Sequence, residues 1–540
     1  MSCSHVGHIL TAYVPGMRSF ATYELAKSAW IEDPPYRAWQ YQNVAGSRCH
    51  ATNAPRENEN ARKLCLTALT FLARFTCTDG LAKSFDCGSS VERRHIMSSL
   101  HPLEAKSRDI VLGIREAIHA TARQHRAALD WSPTTEVLCT RFFSPENLER
   151  FILAFWSLWY PNWPVFHKPT FSTTNKPAPL LAAMAVIGAA LTSEKSDGDQ
   201  AMRWADAVHS FVFSNPQLSD EPIATCDGAV HHLQLSARLD AIRAAYAMLL
   251  WMTWEGSTAQ KNQARRHDFS QVVAAARSVQ PYGASYDNLS AYQEAAAEDT
   301  AWRAFGFREE LLRTIAYVFL LDSAFVIFYN CTPRMLVSEL QINLTCPEVC
   351  FQAADVSSWS QHMATWARST IGKFRPSFAG IMKIMMEDDL SQEQQAMTRQ
   401  MSALNFFVVI SALHIFIFHH RHGGTSEMQP LPIMKALSNW RYAWLSRMPV
   451  LGIYDIFTTD PQTAWRRIGF MRYVPEYWRL AAIFVFQCTE PARLLAVQKS
   501  VGREFNFRLE RPRNVDETNM AKLHELIMHF KDISFGADDL

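Results

Sequence analysis

Residues 144–188 carry the strongest pattern of the chain. An apolar helix leads into a proline-rich segment, residues 159–169, which we call the elbow, and a second apolar segment follows. Ser144 is a favourable N-cap, and Pro145 suits the first helical position. Pro161 and Pro164 are expected to end the helix, because proline lacks a backbone N–H and restricts the residue before it. Large apolar side chains recur at helical spacing and predict one buried stripe: Leu148, Phe151, Ile152, Phe155, Trp156 and Trp159.

The remaining periodic segments are also typical of helices. Apolar residues recur every three or four positions in 103–128, 202–212, 233–254, 269–279, 311–329, 401–419 and 477–486. Glu255 and Gly256 follow one of these segments and are expected to close it, as glycine often does at a helix C-terminus. Alternating strand patterns joined by hairpin turns are absent. The sequence therefore predicts an all-α fold.

Composition supports a large core and gives no electrostatic reason for nucleic-acid binding. Apolar residues make up 48% of the 540 residues, with 33 Phe and 16 Trp. That is ample material for burial, so bulk disorder is not expected. The net charge is +1, which provides no overall attraction to DNA or to an anionic membrane.

The cysteines and the N-terminus indicate a protein of a reducing compartment. Eleven cysteines are scattered without a disulfide framework, which is typical of reduced thiols in the cytosol or nucleus. The first residues lack the basic and apolar regions of a signal peptide. The most apolar run, 403–418, is shorter than the roughly 20 residues that a membrane span needs. It is expected to be a buried core helix.

A series of short motifs follows the elbow in a fixed order. The series comprises Trp251-Met-Thr-Trp-Glu-Gly256, Ala264-Arg-Arg-His-Asp-Phe269, Glu309-Glu310, Arg313-Thr314, Leu320-Leu-Asp322, Pro333-Arg-Met335, Ser338-Glu-Leu340 and Cys346-Pro347. No single motif is diagnostic. Together with the elbow, the series resembles the fungal-specific transcription factor domain, in the version attached to Cys2His2 zinc fingers in filamentous fungi. The resemblance is clear over 140–370 and fainter to about 490.

This resemblance implies an all-α, multi-helix regulatory domain in a nuclear regulator of transcription. It implies control of metabolic genes, including those of secondary-metabolite biosynthesis, with DNA as a partner and with a homodimer or protein partners but no membrane. The runner-up is a cofactor without fingers that binds a partner regulator. The motif residues expected to matter are Phe155, Trp159, Pro164, His167, Pro169, Phe171, Glu255, Gly256, Arg265, Arg266, Glu310, Arg313, Asp322 and Pro333.

The same interpretation divides the chain into four parts. Residues 1–60 are expected to form a weakly structured arm, and 61–140 a short helical lead-in. Residues 141–490 form the all-α regulatory domain, and 491–540 a C-terminal tail with a helix.

The zinc module that accompanies this domain is not found in the sequence. A Cys2His2 finger needs two close cysteines and two close histidines. The nearest cysteine pair, Cys346 and Cys350, is followed by His362 without a second histidine at finger spacing. No cofactor or metal is therefore expected in this chain, and direct sequence-specific DNA binding is in doubt. Whether the module is lost, truncated or was never present is left open.

Several charged or polar residues are expected to be structural. Asp322 lies in an apolar segment and predicts a core carboxylate with a partner. His167 predicts a fixed hydrogen-bonding histidine, and Arg265 and Arg266 a solvated helix start. Glu309 and Arg313 have the spacing of a helical ion pair worth about 0.3 kcal/mol if exposed.

Enzymatic function is the least favoured interpretation. Residues 387–393 superficially resemble the metal-binding carboxylates of a class I terpene synthase, but their spacing is wrong and no second metal motif follows. Glycine-rich nucleotide loops and a Gly-x-Ser-x-Gly elbow are also absent. The sequence predicts a protein that is not an enzyme and has no catalytic residues.

Overall fold

The computed structural model describes residues 69–78, 80–85, 87, 103–123, 130–223, 228–283, 299–423, 431–446, 463–489, 520 and 523–528. The helices of the first half are α1 Thr70–Cys77, α2 Leu81–Ser84, α3 Glu104–Arg123, α4 Pro133–Phe142, α5 Pro145–Ala154, α6 Ala178–Leu191, α7 Lys195–Phe213, α8 Gly228–Trp254, α9 Thr258–Gln263 and α10 Phe269–Gly283. Those of the second half are α11 Asp299–Tyr329, α12 Glu348–Phe351, α13 Val356–Arg368, α14 Thr370–Phe374, α15 Phe378–Met385, α16 Gln392–Arg399, α17 Ala403–His422, α18 Leu431–Ser446 and α19 Val474–Thr489.

The predicted all-α fold is confirmed. In the described ranges the extended chain contributes only an isolated bridge between Asn343 and Ser377. Where the sequence predicts a helix, the observed boundaries differ mainly by extension: α11 begins twelve residues before the periodic segment at Leu311, and α7 begins before Met202. Other helices, among them α13 and α18, lie outside the predicted segments. Polar and small residues occupy the added turns of α7, so apolar periodicity does not reveal them. The added turns of α11 do bury Trp302 and Phe305, but charged residues separate these from the apolar run at Leu311.

Two helices organise the core. Helix α6 packs against α5, α7 and α8, and nearly every side chain from Leu180 to Leu191 is buried, as expected of a helix that is apolar on all sides. Helix α17 packs against α11, α18 and α19. Because α11 also contacts α8 and α10, it joins the two groups of helices into one core.

Helices α11 and α17 are long and apolar enough to cross a membrane by length and composition alone. Their most apolar windows have mean hydropathies of 1.9 and 1.7, but 94% and 83% of those windows are buried inside the fold. The core helix of a soluble protein passes the same test of length and composition. The prediction that residues 403–418 form a buried core helix is therefore confirmed.

The elbow differs from its prediction in one respect. Ser144 caps α5 as expected, its Oγ accepting from the Asn147 N–H at 3.4 Å. The α-helix ends at Ala154, however, and Phe155–Trp159 form a π-helical turn in which the Tyr160 N–H donates to the Phe155 carbonyl. Pro161 lies in the following 3-10 turn, Tyr160–Asn162. This turn is fully buried, so its geometry is set by packing that a helical period does not encode.

The described lead-in helices share the core of the later segments. The Phe71 ring of α1 stacks on Tyr473 at 4.4 Å, and the Phe85 ring lies 5.0 Å from that of Trp159. The predicted arm of residues 1–60 lies outside the described residues, and so does most of the predicted tail at 491–540. The division into four parts stays a prediction.

Candidate functional site

Two buried arginines from different helices hold the carbonyl groups of the elbow. Arg243 on α8 donates from Nη2 to the Val165 carbonyl at 3.2 Å, and Arg313 on α11 donates from Nη1 to that of Pro164 at 3.4 Å. Both guanidinium groups are at most 1% exposed. Proline rings prevent a regular ladder here, so the elbow carbonyls obtain their donors from distant side chains.

Glu310 connects Arg243 to the elbow backbone. Its Oε2 lies 3.1 Å from Arg243 Nη2, and its Oε1 accepts from the His167 N–H at 2.6 Å. Burial alone would raise the pKa of the Glu310 carboxyl. The charges of Arg243 and Lys176 and the His167 N–H outweigh burial and lower that pKa, so Glu310 is ionised.

The charge chain continues to the protein surface. Arg243 Nη1 lies 3.1 Å from Asp240 Oδ1, and Lys176 Nζ lies 2.9 and 3.0 Å from the two Asp240 oxygens. The chain Lys176–Asp240–Arg243–Glu310 alternates in sign, so each buried charge has an opposite neighbour. Such pairing is required because an isolated buried charge is costly.

Arg313 forms a second ionic cluster on the other side of the elbow. It binds both carboxylate oxygens of Glu348 at 3.1 and 3.2 Å, while its Nε lies 3.7 Å from Glu309 Oε1. Its guanidinium also covers the Phe351 ring at 4.0 Å. Glu309 and Arg313 thus lie within ion-pair distance, as their i,i+4 spacing indicated. Both side chains are fully buried, however, so the small value for an exposed pair does not apply, and Glu348 is the main partner of Arg313.

His167 is a fixed, neutral histidine. Its Nδ1 lies 2.8 Å from Thr170 Oγ1, and its ring packs against Trp302 and Phe351. Burial lowers the pKa of the imidazole to about 4, so the ring is uncharged at neutral pH. A Cβ at Gly306 would lie 2.7 Å from Nδ1, so this glycine makes room for the ring. The contacts fit the hydrogen-bonding role expected from the sequence.

The aromatic motif residues lie around the elbow. Trp159 is 1% exposed and Phe155 is fully buried. Phe171 packs edge-on against Trp156 at 4.9 Å, beside the short 3-10 turn Lys168–Thr170 that contains Pro169. Of these rings, that of Trp159 lines an apolar cavity of about 50 Å³, together with Trp163 and with rings of α8 and α11. Among the residues that the structure describes, the indole N–H groups of Trp159 and Trp163 have no hydrogen-bond partner.

Asp322 fixes the loop that follows α11. Its Oδ2 accepts from the backbone N–H groups of Arg334 at 2.8 Å and Met335 at 2.7 Å, immediately after Pro333. Burial raises the pKa of this carboxyl to about 6, against the opposing effect of the two N–H donors. Asp322 is therefore a buried carboxylate that orders the backbone.

The two arginines at 265 and 266 have different environments. Arg265 is buried, with its guanidinium 4.4 Å from the Tyr329 ring, and its carbonyl accepts from Arg334 Nη2 at 2.7 Å. Arg266 is exposed. They lie in a π-helical turn, Ala264–Asp268. The expectation of a solvated helix start is wrong for Arg265, because the π turn directs this side chain toward α11.

Glu255 and Gly256 follow the end of α8 and connect it to the lead-in. The Glu255 carboxylate accepts from the Leu81 N–H at 2.5 Å and so caps α2. Gly80, which precedes α2, has a φ of 96° and donates to the Trp254 carbonyl at 3.1 Å. A Cβ at Gly256 would lie 2.4 Å from the Met252 carbonyl oxygen, so the turn requires glycine.

The residues considered as metal ligands do not form a cluster. In the part of the chain that the structure describes, no group of three or more His, Cys, Asp or Glu residues has a metal-binding arrangement. Cys346 and Cys350 are buried thiols whose pKa values burial raises. Three histidines also lie close together in sequence at the end of α17, at positions 419, 420 and 422, and there His422 Nε2 lies 3.1 Å from Asn330 Oδ1.

Sequence reasoning missed five residues of the site: Lys176, Asp240, Arg243, Gly306 and Glu348. Asp240 and Arg243 are adjacent on an otherwise apolar face of α8, where two opposite charges three positions apart signal a buried pair. Lys176 and Gly306 carried no comparable local signal. The arrangement braces the elbow with charge-assisted hydrogen bonds, and within the described residues we find no acid–base pair beside the aromatic cavity.

Comparisons with known proteins identify the same family as the ordered motifs. A family model described as the fungal specific transcription factor domain matches residues 152–418. Transcription factor verF of Penicillium polonicum is 32% identical to the chain over an alignment of 524 positions, which covers 86% of this chain and 70% of that protein. Zinc finger protein zas1 of Schizosaccharomyces pombe is 22% identical over 233 positions, covering 42% of this chain and 24% of that protein. No solved structure matches the chain.

Proposed function

The chain belongs to the family of proteins with a fungal-specific transcription factor domain, and from this premise we propose that it acts in the nucleus as a regulator of metabolic genes, including those of secondary-metabolite biosynthesis. The observation that carries the proposal is the 32% identity to a protein named a transcription factor, over 86% of this chain. The resemblance noted in the ordered motifs supports the same assignment.

In this proposal the helical body is the regulatory part, and contact with DNA comes from a zinc-finger module or from a partner regulator. Two observations favour an indirect route for these 540 residues. The net charge is +1, and no motif in the sequence concentrates basic side chains on one helix that could contact DNA bases. Two of the prominent arginines, Arg243 and Arg313, are buried in the elbow network and cannot contact phosphate.

Chromatin immunoprecipitation of the tagged chain, combined with RNA sequencing of a deletion strain, tests the proposal. We expect the tagged chain to accumulate in the nucleus and to enrich promoters whose transcripts change in the deletion strain. A deletion that leaves every transcript unchanged, with no enriched promoter, would contradict the assignment.

A binding experiment separates the direct from the indirect route. The purified chain is titrated against a promoter fragment recovered by immunoprecipitation and against a scrambled duplex, at several salt concentrations. We expect weak binding without preference between the two, with an affinity that falls steeply with salt. Nanomolar, sequence-selective binding at physiological salt would show direct recognition and contradict the partner route.

A further inference from the structure

A groove with a volume of about 890 Å³ lies at the outer end of the elbow network. Its walls come from α3, from the C-terminal end of α7 and the turn after it, from α8, and from the segment that precedes α6. A volume of this size is within the range of about 300–1,000 Å³ that is typical of small-molecule sites. The aromatic cavity of about 50 Å³ is far smaller.

The lining combines an apolar wall with hydrogen-bonding groups. Phe211, Leu233 and Pro177 provide apolar surface, and Leu233 is 68% exposed there. Asn175 and Ser236 provide amide and hydroxyl groups. A few placed polar groups on a mainly apolar wall are the usual composition of a site for an amphipathic organic molecule.

The charges of the lining balance. Lys106 and Glu116 lie on α3, and Lys176 and Asp240 line the groove as an ion pair whose Asp240 side chain is only 5% exposed. An anion that approached Lys176 would also face Asp240, and a cation that approached Asp240 would face Lys176. The pairing therefore favours an uncharged molecule that presents a hydrogen-bond acceptor to the ammonium group.

The ion pair also connects the groove to the interior. Asp240 Oδ1 accepts from Lys176 and from Arg243, and Arg243 binds Glu310, which accepts the His167 N–H. A molecule that hydrogen-bonds to Lys176 weakens its attraction for Asp240. Asp240 then attracts Arg243 more strongly, which changes the hydrogen bonds of Arg243 to Glu310 and to the elbow backbone.

We propose that this groove binds an uncharged, amphipathic small molecule that presents an acceptor oxygen to Lys176 and an apolar face to Phe211 and Leu233. We further infer, resting on the proposed function, that occupancy changes the regulatory output of the chain through the Lys176–Asp240–Arg243–Glu310 network.

The neutral dye prodan, an aromatic ketone, serves as the probe. Titration of the purified full chain should give one saturable site, with a blue shift of dye emission. Ala237→Trp places an indole in the groove from α8, and we expect it to weaken prodan binding at least tenfold. Leu233→Asp, at an exposed position, should weaken it at least threefold without affecting the fold.

Val137→Trp is the matched control, because Val137 is 67% exposed on α4 and does not line the groove. It should leave prodan affinity unchanged. No saturable binding, or equal affinity in the parent, Ala237→Trp and Leu233→Asp, would overturn the site. Tighter and competitive binding of the anionic dye 8-anilinonaphthalene-1-sulfonate would overturn the preference for an uncharged ligand.

The inferred effect of ligand binding on regulation is measured separately, with a reporter gene. At equal protein level, Ala237→Trp should change reporter output at least threefold, and Val137→Trp should not. Lost dye binding with unchanged output would refute the coupling but not the site. A parent chain that drives no reporter at all, while prodan still binds, would refute the proposed function instead.

Discussion

Arg243 and Glu310 meet in the interior with 3.1 Å between Nη2 and Oε2, although they lie on different helices 67 positions apart. Water cannot solvate these charges effectively, because Arg243 is 1% exposed and Glu310 is 7% exposed. Their contact joins α8 to α11, and both side chains bond to the backbone of the elbow between them.

Arg243→Met should destabilise the fold by about 3–5 kcal/mol, because it leaves Glu310 and Asp240 buried without their shared cation. Arg277→Met is the control. Arg277 is 45% exposed in its pair with Glu339, and exposed pairs contribute about 0–1 kcal/mol. Chemical denaturation of both variants measures the difference. Equal losses in the two variants would show that the buried network does not brace the elbow.

Two glycines should respond in opposite ways to alanine. A Cβ at Gly188 would lie 1.9 Å from the Phe151 carbonyl oxygen, so α5 and α6 would have to separate, at a cost of about 1–3 kcal/mol or more. A Cβ at Gly198 on α7 would meet nothing within 4 Å. Gly198→Ala should therefore raise the free energy of unfolding by about 0.5–1 kcal/mol, because alanine loses less backbone entropy in a helix than glycine does. Thermal unfolding of the two variants and the parent measures the difference. A Gly188→Ala variant with the melting temperature of the parent would contradict the close packing of α5 on α6.

Trp159→Ala should destabilise the chain by about 3–5 kcal/mol, the usual cost of truncating a large buried aromatic residue. Trp159 is 1% exposed and packs on Phe85 at 5.0 Å. Phe374→Ala, at a position 54% exposed, should change stability little. The measurements are thermal unfolding and reporter output at equal expression. A Trp159→Ala protein that unfolds like the parent but loses regulation would identify a partner contact instead.

Glu476 should make stability depend on pH. Its buried carboxylate accepts from the Phe71 and Leu72 N–H groups at 3.0 and 2.9 Å, and burial raises its pKa from 4.5 to about 7. Between these values the folded chain holds a proton that the unfolded chain has released. The contribution of Glu476 to stability is therefore full below pH 4.5 and declines as pH rises through 7.

Glu476→Gln removes this titration. The unfolding free energy of the variant relative to the parent should rise by up to about 3 kcal/mol between pH 4 and pH 8. His167 and His414, whose pKa values burial lowers to about 4, are present in both proteins, so their effects cancel in the comparison. A difference that is constant over this range would refute the raised pKa.

The absence of paired Cys and His ligands at finger spacing predicts that the chain holds no stoichiometric zinc. Metal analysis of chelator-washed protein should give well below one zinc ion per chain. As a control, Cys346→Ala should not alter the metal content. One or two tightly held zinc ions would contradict the prediction.

The sequence determined the long apolar helices of this protein and the faces that they bury, but not shorter or less apolar helices such as α13 and α18. Apolar period, the Ser144 cap and the order of the motifs identified the all-α domain, and the apolar surroundings of Asp322 indicated a core carboxylate. The apolar period, the cap and the surroundings of Asp322 depend on residues within a few turns of one another, where helical spacing fixes which side chains share a face. The order of the motifs extends over about 200 residues and identified the domain by its resemblance to a family.

Only the tertiary structure decided how the buried charges pair and how the elbow turns. Lys176 and Asp240 are 64 positions apart, and Arg313 and Glu348 are 35 apart, so no local spacing relates them. The π-helical turn at Phe155–Trp159 likewise lies where the whole segment is buried. Partners across helices are set by the packing angle and axial position of the helices, and these follow from how all the buried faces fit together at once.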